Sequence, residues 1–522
     1  MPIEGATLPA PATPLAEVLR GGLEAYPDRV ALCSSVRALT WRELDEAARR
    51  MAAGYRGMGL APGDRVASLM PNRIDLAIHY LACFTAGLVA TPLNYRYTAR
   101  EIDHALEVSG AAALLVHAER AADVAASALA GELPRGVVWY EGEGDGGRRF
   151  EDLAAAPPGE TAPSDPGDPA AIFFTSGSTG PAKGVTHTHE TLSWMCASAA
   201  AAFELTPDDA FLPGSSMSHV GSFMWTFAAL SAGARVVLAR SWEADAMLPL
   251  LRAERPTIMA MLPVALTALV RDPGASAADF ASLRLCRAGA DKVSLELEDE
   301  FTHLAGFPID EGYGMTEVGV ATLNPPSGYI KRGSIGRPVP GFAIAVRDDE
   351  GAEVPPGTVG RIWIRTRSST VGYWGDPAAS AAIVRDGWLD SGDLARADED
   401  GYLWFFGRKK QIIVHDGSNI SPQEVEGALV EHPRVVLAGV VGVDDAVHGE
   451  SVRAYVTLDG EGPPPTPGEL IAFARARVGY QAPEEIVVLD EMPLNPTGKV
   501  DRVGLKRLAE DQLHPHGLDG AR

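Results

Sequence analysis

Cysteine is scarce in this sequence. Its four cysteines, Cys33, Cys83, Cys196 and Cys286, stand at least 50 positions apart and form no CxxC pair. A reduced protein without a zinc site fits that spacing best, and His79, four residues before Cys83, has no further ligand type beside it. Lysine is scarcer relative to need, with seven residues against 38 arginines. Where such a chain keeps a lysine, a compact point charge is favoured over a planar fork. No apolar run is long enough to span a bilayer: the longest, 258–270, falls short of ~20 residues and carries Pro263. The first twenty residues lack the basic and apolar regions of a secretory leader. A reduced, cytoplasmic location without a membrane span is expected. Positive charge is also in deficit, 45 basic against 69 acidic residues, for a net charge of -24. A nucleic-acid partner is therefore not expected, and an anionic substrate must meet a local cluster of donors.

What is present is an ordinary globular composition, 46% hydrophobic and 22% charged, over 522 residues. That length exceeds one core and predicts two or three packed domains. From 15 to 130, amphipathic helical patterns alternate with short apolar runs, which predicts a parallel α/β sheet. Thr40 and Glu43 predict a capping box, and 66–70 and 113–116 read as buried strands with a helix at 74–84 between them. After a Pro/Gly/Asp-rich stretch at 156–170 come a strand at 171–175, a glycine-rich loop, a helix from about Glu190, and strands at 235–238 and 257–261. From about 330 to 406 the period becomes two, pairing 342–346 with 360–365 and 394–397 with 402–406. Beyond 409, Ser421, Pro422 and Glu424 occupy N-cap, N1 and N3 of a predicted helix. With strands at 435–443, 451–458 and 486–489, they predict an α+β unit of about 110 residues.

Four segments carry chemistry. Residues 173–184, FFTSGSTGPAKG, follow a buried strand and offer hydroxyls, free amides and a lysine to phosphate oxygens. A Walker A loop would need Gly, Lys and Ser/Thr at 182–184. The chain has Ala182, Lys183 and Gly184, so that reading fails. Residues 310–317, DEGYGMTE, place an aromatic face, a hydroxyl and a carboxylate close together. Asp390-Ser391-Gly392-Asp393 precedes a hairpin closed by Gly407-Arg408, and 493–502, PLNPTGKVDR, puts Lys499 on a turn.

With these motifs the sequence resembles the adenylate-forming superfamily of acyl-CoA synthetases, peptide-synthetase adenylation domains and firefly luciferase. TSGSTGPAKG, YGMTE, SGD, GRKKQIIVHDGSNISPQEVE and NPTGKVDR occur in order over 175–502. The resemblance, closest to fatty- or aryl-acid-CoA ligases, implies an α/β fold: a large N-terminal domain (1–408) of two α/β subdomains plus a small β barrel at about 330–406. A mobile α+β domain (409–522) would be hinged near Lys410, with domain alternation between two half-reactions. It implies an AMP-forming acid–thiol ligase using ATP, Mg²⁺ and CoA. On that resemblance Thr175, Ser176, Gly177, Ser178, Thr179, Gly180 and Lys183 hold ATP phosphates. Glu311, Gly312 and Tyr313 form the adenine strand, with Tyr313 stacking on the base. Asp393 takes the ribose, assisted by Arg408. Thr316 touches the α-phosphate or the acyl carboxylate, Glu317 ligates Mg²⁺, and Lys499 bridges the attacking carboxylate and the α-phosphate. Gly417, Ser418 and Asn419 line the CoA path.

The resemblance also places His219 at the gate of the acyl site, with Gly221, Phe223, Met224, Trp225, Gly289, Gly314 and Met315 as lining candidates. Those residues suit an apolar or aromatic acid, of fatty or aromatic acid metabolism. No aspartate stands near 219 to pair a substrate ammonium, which disfavours amino-acid activation. Two departures from the family pattern stand out. Ala182 replaces a usual proline, and residues 287–292, RAGADK, carry more charge than the usual small apolar segment, which leaves room for a polar or anionic substrate tail. The expected partners are a small carboxylic acid and CoA, with a carrier-protein thiol or another nucleophile as the alternative acceptor, in a monomer or homodimer.

Overall fold

The computed structural model describes the chain apart from residues 1, 9–11, 143–146, 163, 176–180, 290, 416–417, 446–447, 461, 496–497 and 514–522. Among the described residues the strands form four sheets, of eight, nine, six and five strands. The eight-stranded sheet has at its centre the parallel strands Val89–Pro92, Arg65–Leu69, Ala113–His117 and Val137–Tyr140. The nine-stranded sheet has a parallel centre running from Val30–Ser34 through Arg235–Leu238, Ala210–Gly214, Ile258–Met261 and Leu285–Gly289 to Asp310–Met315. The parallel expectation needs correction at the edges. Pro169–Thr175 meets Lys183–Thr188 antiparallel, as Asp310–Met315 meets Gly319–Leu323, because a short loop joins each pair and only antiparallel neighbours can be so joined.

Between the two large sheets lie helices that are apolar nearly all round, as fully enclosed helices must be. Every residue of Ile74–Ala86 is buried, and nine of the twelve in Val220–Ser231. With Trp41–Gly57 and His189–Ala202 they make one continuous core. Tyr80, Phe84, Phe173, Phe223 and Phe227 form its aromatic centre, with the Phe223 and Phe227 rings 4.7 Å apart. His79 lies inside this core, bonded at 2.6 Å to the Tyr55 hydroxyl, and burial lowers its pKa to about 3, so it is a neutral structural histidine. The four cysteines are buried free thiols.

The six-stranded sheet contains the predicted hairpins, with Phe342–Arg347 opposite Val359–Thr366 and Trp388–Ala397 opposite Leu403–Arg408. It is an open sheet and not the barrel that the resemblance implied. Its order begins at Ile3–Glu4 and ends at Val384–Arg385, two-residue strands that do not pair with each other. The N-terminal strand, antiparallel to Phe342–Arg347, is an addition that no local pattern announces.

From Ile413 onward a second core forms around Ile413, Val425, Val440, Val456, Leu470 and Ile486. Ser421 caps the helix Pro422–Val430 through the Glu424 N–H, as its spacing predicts. In the long hairpin of Val435–Asp445 with Gly449–Leu458 the second strand is central to this sheet and the first lies at its edge. Among the described residues no helix is long and apolar enough to cross a membrane.

Candidate active site

The strand Asp310–Met315 carries Tyr313 to the seam between the nine-stranded and six-stranded sheets. Its hydroxyl donates to Asp393 Oδ2 at 2.7 Å, and its ring stacks on Phe405 with centroids 6.1 Å apart. Asp393 and Arg408 are cross-strand partners, with Arg408 Nε 3.6 Å from Asp393 Oδ1. Burial pushes the Asp393 carboxyl up, against the opposing pull of Arg408, the Tyr313 hydroxyl and Lys499. A phenol, a carboxylate and a guanidinium from three distant stretches thus share one network.

At the end of the same strand the chain turns through Thr316 and Glu317. The Thr316 carbonyl accepts from His187 Nε2 at 2.8 Å, which assigns the proton to that nitrogen. Burial holds the His187 pKa at about 4, so the donor is neutral. Glu317 is buried; its carbonyl accepts from the Thr370 N–H and its Oε1 from the Tyr373 hydroxyl at 2.9 Å. Desolvation raises its pKa, partly offset by Tyr373. The Tyr373 ring also lies under Lys183 Nζ, 5.0 Å from the centroid, and Lys183 pairs in register with Thr175. Ser176, Gly177, Ser178, Thr179 and Gly180 lie outside the described residues. His187 and Tyr373 organise this region, and neither stands in a pattern that sequence reading could have found.

The C-terminal unit brings Lys499 to the same place. Lys499 is half-buried, and desolvation lowers its pKa within the fields of Asp291, Arg408, Arg502 and Asp393. Its backbone N–H donates to Asn495 Oδ1 at 3.1 Å, fixing the turn. Lys499 also acts on His219, whose pKa is lowered to about 4 chiefly by burial. Asn94, also absent from the sequence reading, donates from Nδ2 to His219 Nε2 at 3.4 Å. Arg408 starts the short turn Lys409–Gln411, on which Lys410 is exposed. Ser418 and Asn419 sit on a hairpin against Ile413–His415, paired within the C-terminal sheet; Gly417 lies outside the described residues.

His219 caps the helix Val220–Ser231, with Gly221 and Trp225 one turn apart on one face. Trp225 stacks on Phe211. Gly289 and Gly312 are register partners on adjacent strands, and Gly314 and Met315 lead into the Thr316 turn. Two expectations need correction. Phe223 is 0% exposed, its ring held by Tyr80, Phe84, Phe173 and Phe227, so it belongs to the core and does not line a substrate cavity. Met224 is buried beside Gly319. The Glu311 carboxylate accepts from the Val293 N–H at 3.4 Å.

These features define a nucleotide-handling enzyme on an adenylate-forming fold, and the comparisons agree. The AMP-binding enzyme family model matches residues 20–374, and that of the AMP-binding enzyme C-terminal domain matches 424–499. The chain belongs to the AMP-binding enzyme family. It is 35% identical to a feruloyl-CoA synthase of Amycolatopsis sp over 93% of this chain and 99% of that one. It is 33% identical to the indoleacetate–CoA ligase of Aromatoleum aromaticum, over 93% and 96%. The structure of an anthranilate CoA ligase in complex with anthranoyl-AMP superposes with a TM-score of 0.89 at 26% identity, covering 97% of this chain and 98% of that one.

Proposed function

We propose that this protein is an AMP-forming acid–thiol ligase that activates an aromatic carboxylic acid with ATP and passes the acyl group to CoA. The observation that carries the reading is the convergence of Lys499 with Asp393, Arg408 and His219 from separate units of the fold. A cation beside a nucleoside-binding network is what attack of a carboxylate oxygen on the α-phosphorus of ATP needs as pyrophosphate leaves, since charge develops there and preorganised partners stabilise it. The aromatic preference rests on the feruloyl, indoleacetate and anthranilate relatives.

In this reading Tyr313, Asp393 and Arg408 hold the nucleoside, and Thr175 and Lys183 begin and end the phosphate loop. Lys499 lies between the acid and the α-phosphate. Glu317 suits Mg²⁺: a buried carboxylate of raised pKa gains a counter-charge when a cation arrives. Among the described residues no three metal-ligating side chains gather, so such an ion would draw its other ligands from phosphate and water, the usual habit of Mg²⁺. When bound, the ion would neutralise phosphate charge. The division into units 1–408 and 409–522, hinged at Lys410, would let Lys499 withdraw and the hairpin bearing Ser418 and Asn419 approach for thiol attack. A carrier-protein thiol is the second acceptor to consider, because a fatty acid–[acyl-carrier-protein] ligase of Streptomyces coeruleorubidus is 32% identical over 92% of this chain.

The test is pyrophosphate release with ATP and Mg²⁺ across aryl, fatty and dicarboxylic acids, with and without CoA and with mass detection. Acyl-CoA plus AMP is the expected result. Nucleotide binding with no pyrophosphate from any acid would make this a non-catalytic nucleotide-binding protein. Accumulating adenylate without thioester would move the acceptor away from CoA.

A further inference from the structure

Strand Leu285–Gly289 is buried along its length, yet it carries an arginine at its centre. Arg287 is 5% exposed. Its Nε is enclosed without a partner, and no hydrogen bond or ion pair from the guanidinium forms among the described residues. An uncompensated guanidinium in such a place is costly unless something arrives to meet it.

Its surroundings say where that something would sit. The guanidinium lies over the Trp225 ring at 5.5 Å and against two glycine faces. A methyl group on Gly289 would meet Nη1 at 3.0 Å, and one on Gly312 would meet Nη2 at 2.7 Å. Gly312 precedes Tyr313, and Gly221 and Trp225 belong to the helix that His219 caps. Gly289 and Gly312 therefore leave room for the guanidinium itself, which lies between helix and sheet against Gly312, one residue from Tyr313.

One internal counter-charge exists. Asp310 is the register partner of Arg287, but its Oδ1 accepts from Asn324 N and Nδ2 at 3.2 Å each, and its Oδ2 is enclosed without a partner. Burial raises its carboxyl, against the opposing pull of Arg287 and of the Asn324 hydrogen bonds. Asp310 does not meet the full donor capacity of a guanidinium fork.

Resting on the acid-activating reading above, we propose that Arg287 is a specificity-determining residue that receives a second carboxylate, carried by the substrate acid at the end remote from the carboxyl being activated. A guanidinium suits this role better than an ammonium, because its fork binds a carboxylate through two parallel hydrogen bonds. Trp225 beside it favours a flat scaffold between the two carboxylates. The substrate class is then an aromatic dicarboxylic acid activated at one carboxyl.

The test uses the full chain and pairs of acyl-sulfamoyl adenosines that differ only at the remote position. Benzene-1,3- and 1,4-dicarboxylic, hydroxybenzoic and methylbenzoic versions are each measured by calorimetric titration. Turnover of the corresponding free acids is followed by pyrophosphate release. The wild type should prefer a dicarboxylic member over its methyl counterpart by about 100-fold. Arg287→Met should abolish that preference, and Arg287→Lys should keep its direction at reduced size, which controls for a Met variant that fails to fold. Asp310→Asn should enlarge the preference by removing the internal competitor. Equal binding of dicarboxylic and methyl analogues by the wild type overturns the proposal, as does retention of the preference in a folded Arg287→Met protein. A preference for the hydroxy analogue over the dicarboxylic one overturns the anionic assignment. Loss of the preference in Asp310→Asn marks Arg287 and Asp310 as a structural pair and overturns it too. Binding of no analogue at all removes the acid-activating reading and this inference with it.

Discussion

Replacing Lys499 by alanine should separate the two half-reactions. The side chain reaches a half-buried position within the fields of Asp393, Asp291, Arg408 and Arg502, while its backbone N–H is held by Asn495. The variant therefore keeps the turn and loses only the cation. A unit charge acting on a developing unit charge at 4 Å is worth ~4 kcal/mol at an effective dielectric of ~20. That corresponds to a ~10³-fold slower adenylation. Thioester formation from supplied acyl-adenylate does not use that charge and should stay within about threefold of wild type. The assay pairs acid-dependent pyrophosphate exchange with single-turnover conversion of acyl-AMP and CoA to thioester. A folded variant that loses both half-reactions equally would refute the reasoning, because Lys499 would then act on overall structure or on binding common to both steps.

Three further outcomes are expected. Asp393→Ala removes a buried acceptor joined to Tyr313 and Arg408, and should weaken ATP binding by ~10- to 100-fold, the effect of one or two hydrogen bonds to a charged group; an unchanged dissociation constant by calorimetry would exclude it from the nucleoside site. Phe223→Ala should lower unfolding stability by ~3–5 kcal/mol in denaturant titration and leave acid preference unchanged; altered preference at unchanged stability would return Phe223 to the substrate cavity. Burial raises Glu311 from 4.5 to about 7, so between those values the folded chain holds a proton that the unfolded chain has lost, and the wild type loses stability as pH rises, by ~1.4 kcal/mol per unit. Glu311→Gln escapes that loss, so its stability relative to wild type should climb from about pH 5 to about pH 7 and then level; a difference independent of pH would mean the carboxyl titrates normally when folded.

Much of the fold is legible because it is written locally. Thr40 and Glu43 form the capping box their spacing predicts, and Ser421 caps its helix through Glu424. The hairpin of Phe342–Arg347 with Val359–Thr366 follows from alternation and a turn. Features that depend on distant chain were not legible. Nothing in the first residues announces that Ile3–Glu4 will border the six-stranded sheet, and nothing in a hairpin pattern tells an open sheet from a closed barrel. Phe223 reads equally well as core or cavity until Tyr80, Phe84 and Phe173 arrive around it.

The sequence by itself determined the alternation of helix and strand, the caps and turns, and the order of the motifs that place this chain in its family, because each depends on residues a few positions apart. Tertiary structure alone decided that Tyr373 ties Glu317 to Lys183, that His187 holds the Thr316 carbonyl, and that the charge of Lys499 acts on Asp393 and His219. It also decided that Arg287 stands unbonded against two glycines and a tryptophan. Burial, and the pKa shifts and unmet hydrogen bonds that follow from it, arises only when surfaces far apart in the chain exclude water together.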